Sequence, residues 1–227
     1  VTYENVIITD GGGVNLAIGS AFDGADTDSL FNIENVIGSN FTDTLQGDDQ
    51  ANKLEGLLGA DTLIGGKGDD YIDGGGAVDI VSYALDADVN LDGFGVTVDL
   101  ENNTATDGNG DTDTILNVEH VIGSDFADDL RGRDGEDDII EGGTGNDTIR
   151  YSSGNDTLKG DVGTDTLDYS TAGDDATIDL DIRQATVASG GGSASLENIE
   201  NVVGSDHDDI ITGDGQVNKL EGGAGDD

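Results

Sequence analysis

GGKGDDYID, the stretch from Gly65 to Asp73, decides the fold because the same pattern repeats in phase on both sides of it. The stretch fits G-G-x-G-x-D-x-U-x, where U is a large aliphatic residue. This nine-residue register runs without a gap over residues 38–82, as GSNFTDTLQ, GDDQANKLE, GLLGADTLI, GGKGDDYID and GGGAVDIVS. Self-similarity at a fixed period is the signature of a solenoid, so we expect the units to stack on one another.

Two further arrays carry the pattern, at 123–168 and, truncated, at 204–227. One unit of the second array, GRDGEDDIIE, has an extra residue, which we expect near Glu141 as a bulge. Each array follows nearly the same words, NIENVIGS, NVEHVIGS and NIENVVGS. The nonapeptides therefore lie inside a larger repeat of 85 and then 81 residues.

The rest of the chain forms three spacers, at 1–37, 83–122 and 169–203. Each contains an alternating, β-branched stretch, VNLAI, VTVDL or ATIDLDI, which is typical of a strand. No segment has the spacing of an amphipathic helix. The sequence predicts an all-β fold, a parallel β-roll or β-solenoid with strand-rich spacers, and a solvated turn at 107–113, DGNGDTD.

The composition excludes several classes of protein. There are 50 acidic against 8 basic side chains, a formal charge of -42, which makes nucleic acid and anionic membranes poor partners. Cysteine is absent, so no disulfide or thiolate site is available, and no apolar run is long enough to cross a bilayer. Such charge with only 34% apolar residues predicts disorder unless cations are bound.

The residue types in the turns favour calcium as that cation. Glycine at the first, second and fourth positions permits positive φ, so that carbonyl oxygens can converge on one point. Carbonyl and aspartate oxygens are the ligands that calcium prefers. With two units per turn, sixth-position side chains of alternate units stack about 4.8 Å apart and repel unless an ion lies between them.

These positions give the candidate ligands. The sixth-position side chains fall in stacks that comprise Asp43, Asp61 and Asp79; Asn52 and Asp70; Asp128, Asp147 and Asp165; Asp137 and Asp156; Asp209 and Asp227; and Asn218. The turn glycines are Gly56, Gly59, Gly65, Gly66, Gly68, Gly142, Gly143, Gly145, Gly154, Gly160 and Gly163. We expect weaker sites at the two asparagines, and loops that do not close on an ion where Phe41, Phe126 or His207 replaces the fourth glycine.

The eighth-position aliphatic residues are expected to point inward and form a thin core. They are Leu45, Leu54, Leu63, Ile72, Val81, Leu130, Ile139, Ile149, Leu158, Leu167, Ile211 and Leu220. At about 2 kcal/mol each when fully buried, they cannot alone outweigh the ordering of so many glycines, so bound ions must supply the difference.

The units resemble the RTX, or haemolysin-type, calcium-binding repeats of secreted bacterial proteins. The resemblance implies several bound Ca²⁺ ions, one turn of β-roll per two units, an extracellular or cell-surface location, and type I secretion directed by a signal beyond this chain. It implies a structural module of a larger parent, either a surface rod, adhesin or surface-layer protein or the carrier module of a secreted protease, lipase, lyase or epimerase.

We expect no catalytic residue in this chain and no cofactor besides calcium. The histidines, His120 and His207, lie at unrelated repeat positions, and no G-x-S-x-G nucleophile motif occurs. Arg131, Arg133, Arg150 and Arg183 are interpreted as local offsets to the negative charge. The expected partners are calcium, the rest of the parent chain and, by end-to-end contact of exposed strand edges, a second copy.

Overall fold

A computed structural model describes residues 4–8, 11–22, 26–85 and 94–227 of the chain. Parts of the predicted spacers 1–37 and 83–122 thus lie outside the described residues. Every regular element in the described part is a β-strand. Within these residues there is no helix that could span a membrane.

The strands are short, and most have three residues because each nonapeptide uses only its last three residues for pairing. Their bounds are β1 Glu4–Ile7, β2 Gly13–Asn15, β3 Ser20–Phe22, β4 Thr27–Ser29, β5 Ile33–Ile37, β6 Thr44–Gln46, β7 Lys53–Glu55, β8 Thr62–Ile64, β9 Tyr71–Asp73, β10 Ile80–Ser82, β11 Phe94–Asp99, β12 Thr104–Thr106, β13 Thr112–Leu116 and β14 His120–Ile122. The others are β15 Ala127–Arg131, β16 Ile139–Glu141, β17 Thr144–Gly145, β18 Thr148–Arg150, β19 Thr157–Lys159, β20 Val162–Gly163, β21 Thr166–Asp168, β22 Ala176–Asp179, β23 Gln184–Val187, β24 Ser193–Glu197, β25 Asn201–Val203, β26 Ile210–Thr212 and β27 Lys219–Glu221.

Successive strands of an array alternate between two long sheets, except that β17 and β20 pair with each other in a separate two-stranded sheet. The first sheet has 12 strands, in the order β1-β5-β7-β9-β13-β12-β11-β15-β18-β21-β25-β27, and the second has 13, in the order β26-β22-β23-β24-β19-β16-β14-β10-β8-β6-β2-β3-β4. Pairs such as β6 with β8 and β7 with β9 are parallel and join units 18 residues apart. This arrangement is the predicted parallel β-roll, with two nonapeptides per turn.

The spacers interrupt the parallel sheets with antiparallel meanders. Strands β2–β4 and β22–β24 form such meanders in the second sheet, whereas β11–β13 form one in the first. Apart from β4, which lies at the edge of the second sheet, their outer strands pair in parallel with the adjoining arrays, as β13 does with β9 and β11 with β15. The alternation in the spacer sequences predicted strands, but it did not reveal this reversal of direction.

The core is a cluster that contains one or two apolar side chains from most of the strands of the two long sheets. Of the ten expected core residues from Leu45 to Leu167, all but Ile139 are buried. Spacer residues such as Val98, Ile115 and Ile178 are buried as well. At the end of the third array, Ile211 is only partly buried and Leu220 is 42% exposed.

The extra residue of the unit GRDGEDDIIE lies in its turn, so the prediction of a bulge near Glu141 was wrong. Strand β16 pairs in unbroken register with both neighbours. Ile140, not Ile139, is the buried core residue, and Asp138, not Asp137, occupies the buried sixth position, because Asp137 is exposed. The sequence fits both registers because Asp137 is followed by Asp138 and Ile139 by Ile140. The turn accommodates the extra residue at a lower cost in free energy than a strand would, because no hydrogen bonds between strands have to break there.

Candidate metal sites

The sixth-position side chains form two columns, one at the strand starts of each sheet. In the second-sheet column the N–H of Asp43 donates to Oδ1 of Asp61 at 2.8 Å, and the N–H of Asp61 donates to Oδ1 of Asp79 at 2.8 Å. The remaining links join Asn52 to Asp70, Asp128 to Asp147, Asp147 to Asp165, Asp138 to Asp156 and Asp209 to Asp227, at 2.7–3.0 Å. The predicted stacks are therefore present, with Asp138 in place of Asp137.

In five of these aspartates the second carboxylate oxygen is buried and has no hydrogen-bond partner among the described residues. They are Asp61, Asp70, Asp79, Asp147 and Asp165. A buried, unpaired polar atom costs about 1–3 kcal/mol, and more when it is charged. The five Oδ2 atoms therefore need a cation or a proton.

Carbonyl oxygens converge on the same places. A Cβ built on Gly142 would contact Oδ2 of Asp147 and would lie 2.8 Å from the carbonyl oxygen of Gly160. A Cβ on Gly56 would likewise contact Oδ2 of Asp61 and lie 2.5 Å from the carbonyl oxygen of Gly74. The first glycines of these two units thus leave room for a carboxylate and a carbonyl oxygen side by side, which is the donor set that calcium takes.

The second and fourth positions stack their carbonyl groups in the same way. A Cβ on Gly59 would lie 2.5 Å from the carbonyl oxygen of Phe41, and one on Gly143 would lie 2.5 Å from that of Ser124. Gly59 and Gly143 have φ of 130° and 98°. Gly66, Gly68, Gly145 and Gly154 also have positive φ, and Gly65, Gly160 and Gly163 stand equally close to backbone or carboxylate oxygens.

The first aspartate of each array is satisfied by a serine instead. Oδ2 of Asp43 accepts from the N–H and hydroxyl of Ser39 at 2.6 and 2.9 Å. Ser124 serves Asp128, and Ser205 serves Asp209, in the same manner. In Asp156, Oδ2 accepts from the hydroxyl of Ser152 at 3.2 Å. The turns that begin with G-S or Y-S thus leave their carboxylate oxygens with donors of their own.

The two asparagines are also satisfied. Oδ1 of Asn52 accepts from the N–H of Asp48 at 2.7 Å, and Oδ1 of Asn218 accepts from the N–H of Asp214 at 2.9 Å. Nδ2 of Asn218 donates to the carbonyl oxygen of Glu200 at 3.0 Å. Asp227, which links to Asp209, is exposed.

Sequence reasoning missed three acids that continue the columns through the spacers. The N–H of Asp79 donates to Oε2 of Glu119 at 3.2 Å, and the N–H of Asp165 donates to Oε2 of Glu200 at 2.9 Å. The sequence signal for the two glutamates was the motif N-x-E, which places a glutamate at the same point of each copy of the super-repeat. The N–H of Asp70 donates to Oδ1 of Asp113 at 3.0 Å.

Asp113 belongs to the turn at 107–113 that was predicted to be solvated, and only the middle of that turn is exposed, at Gly110 and Thr112. Asp107 and Asp113 are both buried. Oδ2 of Asp113 accepts from the hydroxyl of Tyr83 at 2.9 Å, and Asp111 accepts from the N–H of Gly68. The turn packs under the unit 65–73 because GNGDTDTIL, at 108–116, imitates a nonapeptide with Asp113 sixth.

Burial raises the pKa of these carboxyl groups. The pKa of Asp70 rises to about 8, and those of Asp61, Asp147 and Asp165 rise to about 6, in each case mainly because burial penalises the charged form. Among the described residues no three Asp, Glu or His side chains converge on one point. A cation here would therefore combine a few carboxylate oxygens with carbonyl oxygens, and Asp61, Asp70, Asp79, Asp147 and Asp165 are the side chains that fit it.

The model of one protein family matches the chain repeatedly. The RTX calcium-binding nonapeptide repeat matches residues 37–67, 55–89, 118–149, 134–167, 141–175 and 197–227, which together cover more than half of the 227 residues. No curated protein matches the chain.

Proposed function

Because the chain belongs to the RTX calcium-binding nonapeptide repeat family, we propose that it is a folding module of a secreted protein that becomes ordered on meeting extracellular calcium. The observation that carries the proposal is the set of five buried Oδ2 atoms without partners. An ion that binds only the folded chain stabilises it by mass action. Extracellular modules bind calcium with dissociation constants of about 0.1–1 mM, well above cytosolic calcium.

The proposed mechanism uses the chain's own charge. With a formal charge of -42, the calcium-free chain repels itself and stays extended, a form suited to export through a narrow channel. Outside the cell, calcium joins the carboxylates of successive turns, and the two sheets close over their thin core. The arrays at 38–82, 123–168 and 204–227 supply the ion sites, and the spacers join them.

A far-UV circular dichroism titration of this chain tests the proposal. We expect a cooperative gain of β signal near millimolar calcium, starting from a disordered spectrum in chelator, and no such gain with magnesium, which demands octahedral geometry and dehydrates reluctantly. A full β spectrum in chelator at neutral pH would refute the proposal, because the buried carboxylates would then be tolerated without an ion.

For the parent protein we propose a surface rod, adhesin or surface-layer protein. The super-repeat of 85 and 81 residues supports this role, because stacked copies extend a solenoid along one axis. The second candidate is a carrier module of a secreted enzyme. A parent sequence with many more copies would favour the rod, and an adjoining catalytic domain would favour the enzyme.

End-to-end association of two copies belongs to the same proposal. Strand β27 is exposed at all three residues and, among the described residues, pairs only with β25. Open sheet edges of this kind can accept another strand. Analytical ultracentrifugation in millimolar calcium should show concentration-dependent dimers, and monomers alone at high protein concentration would exclude association.

A further inference from the structure

Three glutamates from the spacers enter the carboxylate columns, and each is followed in its column by one side chain of the next array. The strand registers place Glu34 beside Asn52, Glu119 beside Asp138, and Glu200 beside Asn218. We call these three pairs the junction slots. They occupy equivalent points of the super-repeat, because each glutamate comes from a word N-x-E.

The junction slots differ in charge from the slots inside the arrays. Asp61 with Asp79, and Asp147 with Asp165, each bring two carboxylates together with no basic side chain among the hydrogen-bond partners. In two junction slots the partner of the glutamate is an asparagine, so the formal charge is that of one carboxylate. The Glu119–Asp138 slot keeps two carboxylates, and it also contains an arginine.

Arg133 lies between the two carboxylates of that slot. Its Nη2 is 3.1 Å from Oε1 of Glu119 and 3.3 Å from Oδ1 of Asp138, and its N–H donates to Oδ2 of Asp138 at 2.6 Å. The Asp138 side chain is 0% exposed, and that of Arg133 is 21% exposed. Nε is buried without an acceptor among the described residues, so Nη2 alone joins the guanidinium to the pair.

Arg133 also occupies the second position of its unit, where other units have Gly66 or Gly143. Both oxygens of Asp138 thus have donors, whereas Asp61 and Asp147 each keep one oxygen without a partner. With its arginine, the Glu119–Asp138 slot has the same net formal charge as the two Glu–Asn slots. All three junction slots therefore carry the net charge of one carboxylate, two of them through an asparagine and one through an arginine.

We propose that the Glu119–Asp138 slot takes no calcium, and that Arg133 is a built-in cation that replaces the ion between these two side chains. The proposal does not extend to the Glu34–Asn52 slot, where Oε2 of Glu34 is buried without a partner among the described residues. The guanidinium cancels the charge of the second carboxylate, so this slot needs no ion once the roll has folded. The proposal rests on the calcium-dependent folding inferred above and refines it, since it distinguishes one slot that is neutralised by an arginine from the slots of the arrays that need an ion.

The first test compares melting temperatures of the full chain in saturating calcium for wild type, R133Q, R133Q/D138N and R131Q. R133Q should lower the Tm by about 5 °C or more, because a buried carboxylate loses its partner. D138N should restore most of that loss, because the slot then carries a glutamate and an amide, as at Glu34 and Asn52. R131Q, which removes an arginine paired with Asp99 and Asp134, should change the Tm by about 1 °C or less.

Rescue by D138N is the decisive result, and it holds even if R133Q alone does not fold. An R133Q variant as stable as R131Q, or a double variant no more stable than R133Q, would overturn the proposal. The comparison does not depend on calcium driving the folding of the wild type, so it can succeed where the proposed function fails.

The second test counts bound calcium ions by native mass spectrometry. R133G returns glycine to the second position and leaves two carboxylates unneutralised, so it should bind one ion more than wild type. R133G/D138N should bind the wild-type number. An unchanged count in R133G would overturn the replacement of calcium by arginine.

Discussion

The backbone N–H of Asp61 donates a 2.8 Å hydrogen bond to Oδ1 of Asp79, while Oδ2 of Asp79 is buried with no partner among the described residues. One oxygen of the carboxylate therefore belongs to the backbone ladder, and the other is left for an ion. Asp147 and Asp165 show the same arrangement, with one oxygen bonded to the backbone and the other without a partner. The arrangement distinguishes these aspartates from other sixth-position aspartates, such as Asp128, that look the same in the sequence.

Replacing Asp147 by asparagine tests that arrangement. D147N should lower the number of bound calcium ions by one and raise the calcium concentration needed for folding, because an amide oxygen is a weaker ligand than a carboxylate. The fold should tolerate the change, since Asn52 occupies an equivalent position. Native mass spectrometry and a calcium titration followed by circular dichroism measure the two effects.

The matched control is D128N, whose carboxylate accepts from Ser124. It should leave the number of ions unchanged. A lost ion in D128N, or none lost in D147N, would contradict the assignment.

Acid should partly replace calcium. Burial raises the pKa of Asp70 to about 8 and that of Asp147 to about 6, above the value near 3.9 of an unfolded chain. The folded state therefore binds protons more tightly, and calcium-free stability should rise as pH falls from 8 to 5. Below about pH 4 the unfolded chain also takes up protons, and the gain levels off.

Circular dichroism in chelator between pH 8 and pH 5 measures this gain as an increase in β signal. D70N/D147N should show a smaller dependence on pH, because two of the responsible groups are gone. Loss of β signal on acidification to pH 5 would be the opposite of the expected result.

Ala77 adopts φ of 114° at the fourth position of its unit, where a side chain is strained. A77G should stabilise the calcium-bound chain by about 0.5–1 kcal/mol, because glycine removes the strain and loses no buried contact. A60G, at another exposed alanine without positive φ, should destabilise by a similar amount. Thermal unfolding in saturating calcium measures both, and a lower Tm for A77G than for wild type would argue against strain.

The corrected register of the unit GRDGEDDIIE predicts unequal costs for its two isoleucines. I140A should lower the free energy of unfolding by about 2–5 kcal/mol, because Ile140 is 1% exposed in the core. I139A should cost much less, since its side chain is only partly buried. Urea unfolding in calcium distinguishes the two, and the reverse order would restore the register first expected from the sequence.

The sequence predicted the roll well because the repeat pattern is local. Nine residues fix the turn, the strand and the inward side chain, so Leu54, Leu63 and Ile72 could be placed in the core by counting alone. Counting failed where two registers fit equally well, as at Asp137 and Asp138, because the choice depends on which neighbour completes the column.

The candidate sites were harder to predict than the fold. Asp128 and Asp147 occupy the same sixth position, but the hydroxyl that satisfies Asp128 comes from Ser124, at a position that the repeat leaves to glycine. The contribution of Glu119 depends on contacts 40 residues away in the chain, with Asp79. Long-range pairing of this kind has no counterpart in a nine-residue pattern.

The antiparallel meanders lie alternately in the second and the first sheet of the roll. Six single strands of the two long sheets separate one meander from the next, β5–β10 in the first interval, and the chain changes sheet at each step. The chain therefore changes sheet seven times between meanders, and an odd number of changes places the next meander in the other sheet, so β2–β4 and β22–β24 share a sheet that does not contain β11–β13. A partner that contacted one sheet along its length would therefore meet a meander only in every second copy of the super-repeat, and a partner on the other sheet would meet the meanders of the copies between them.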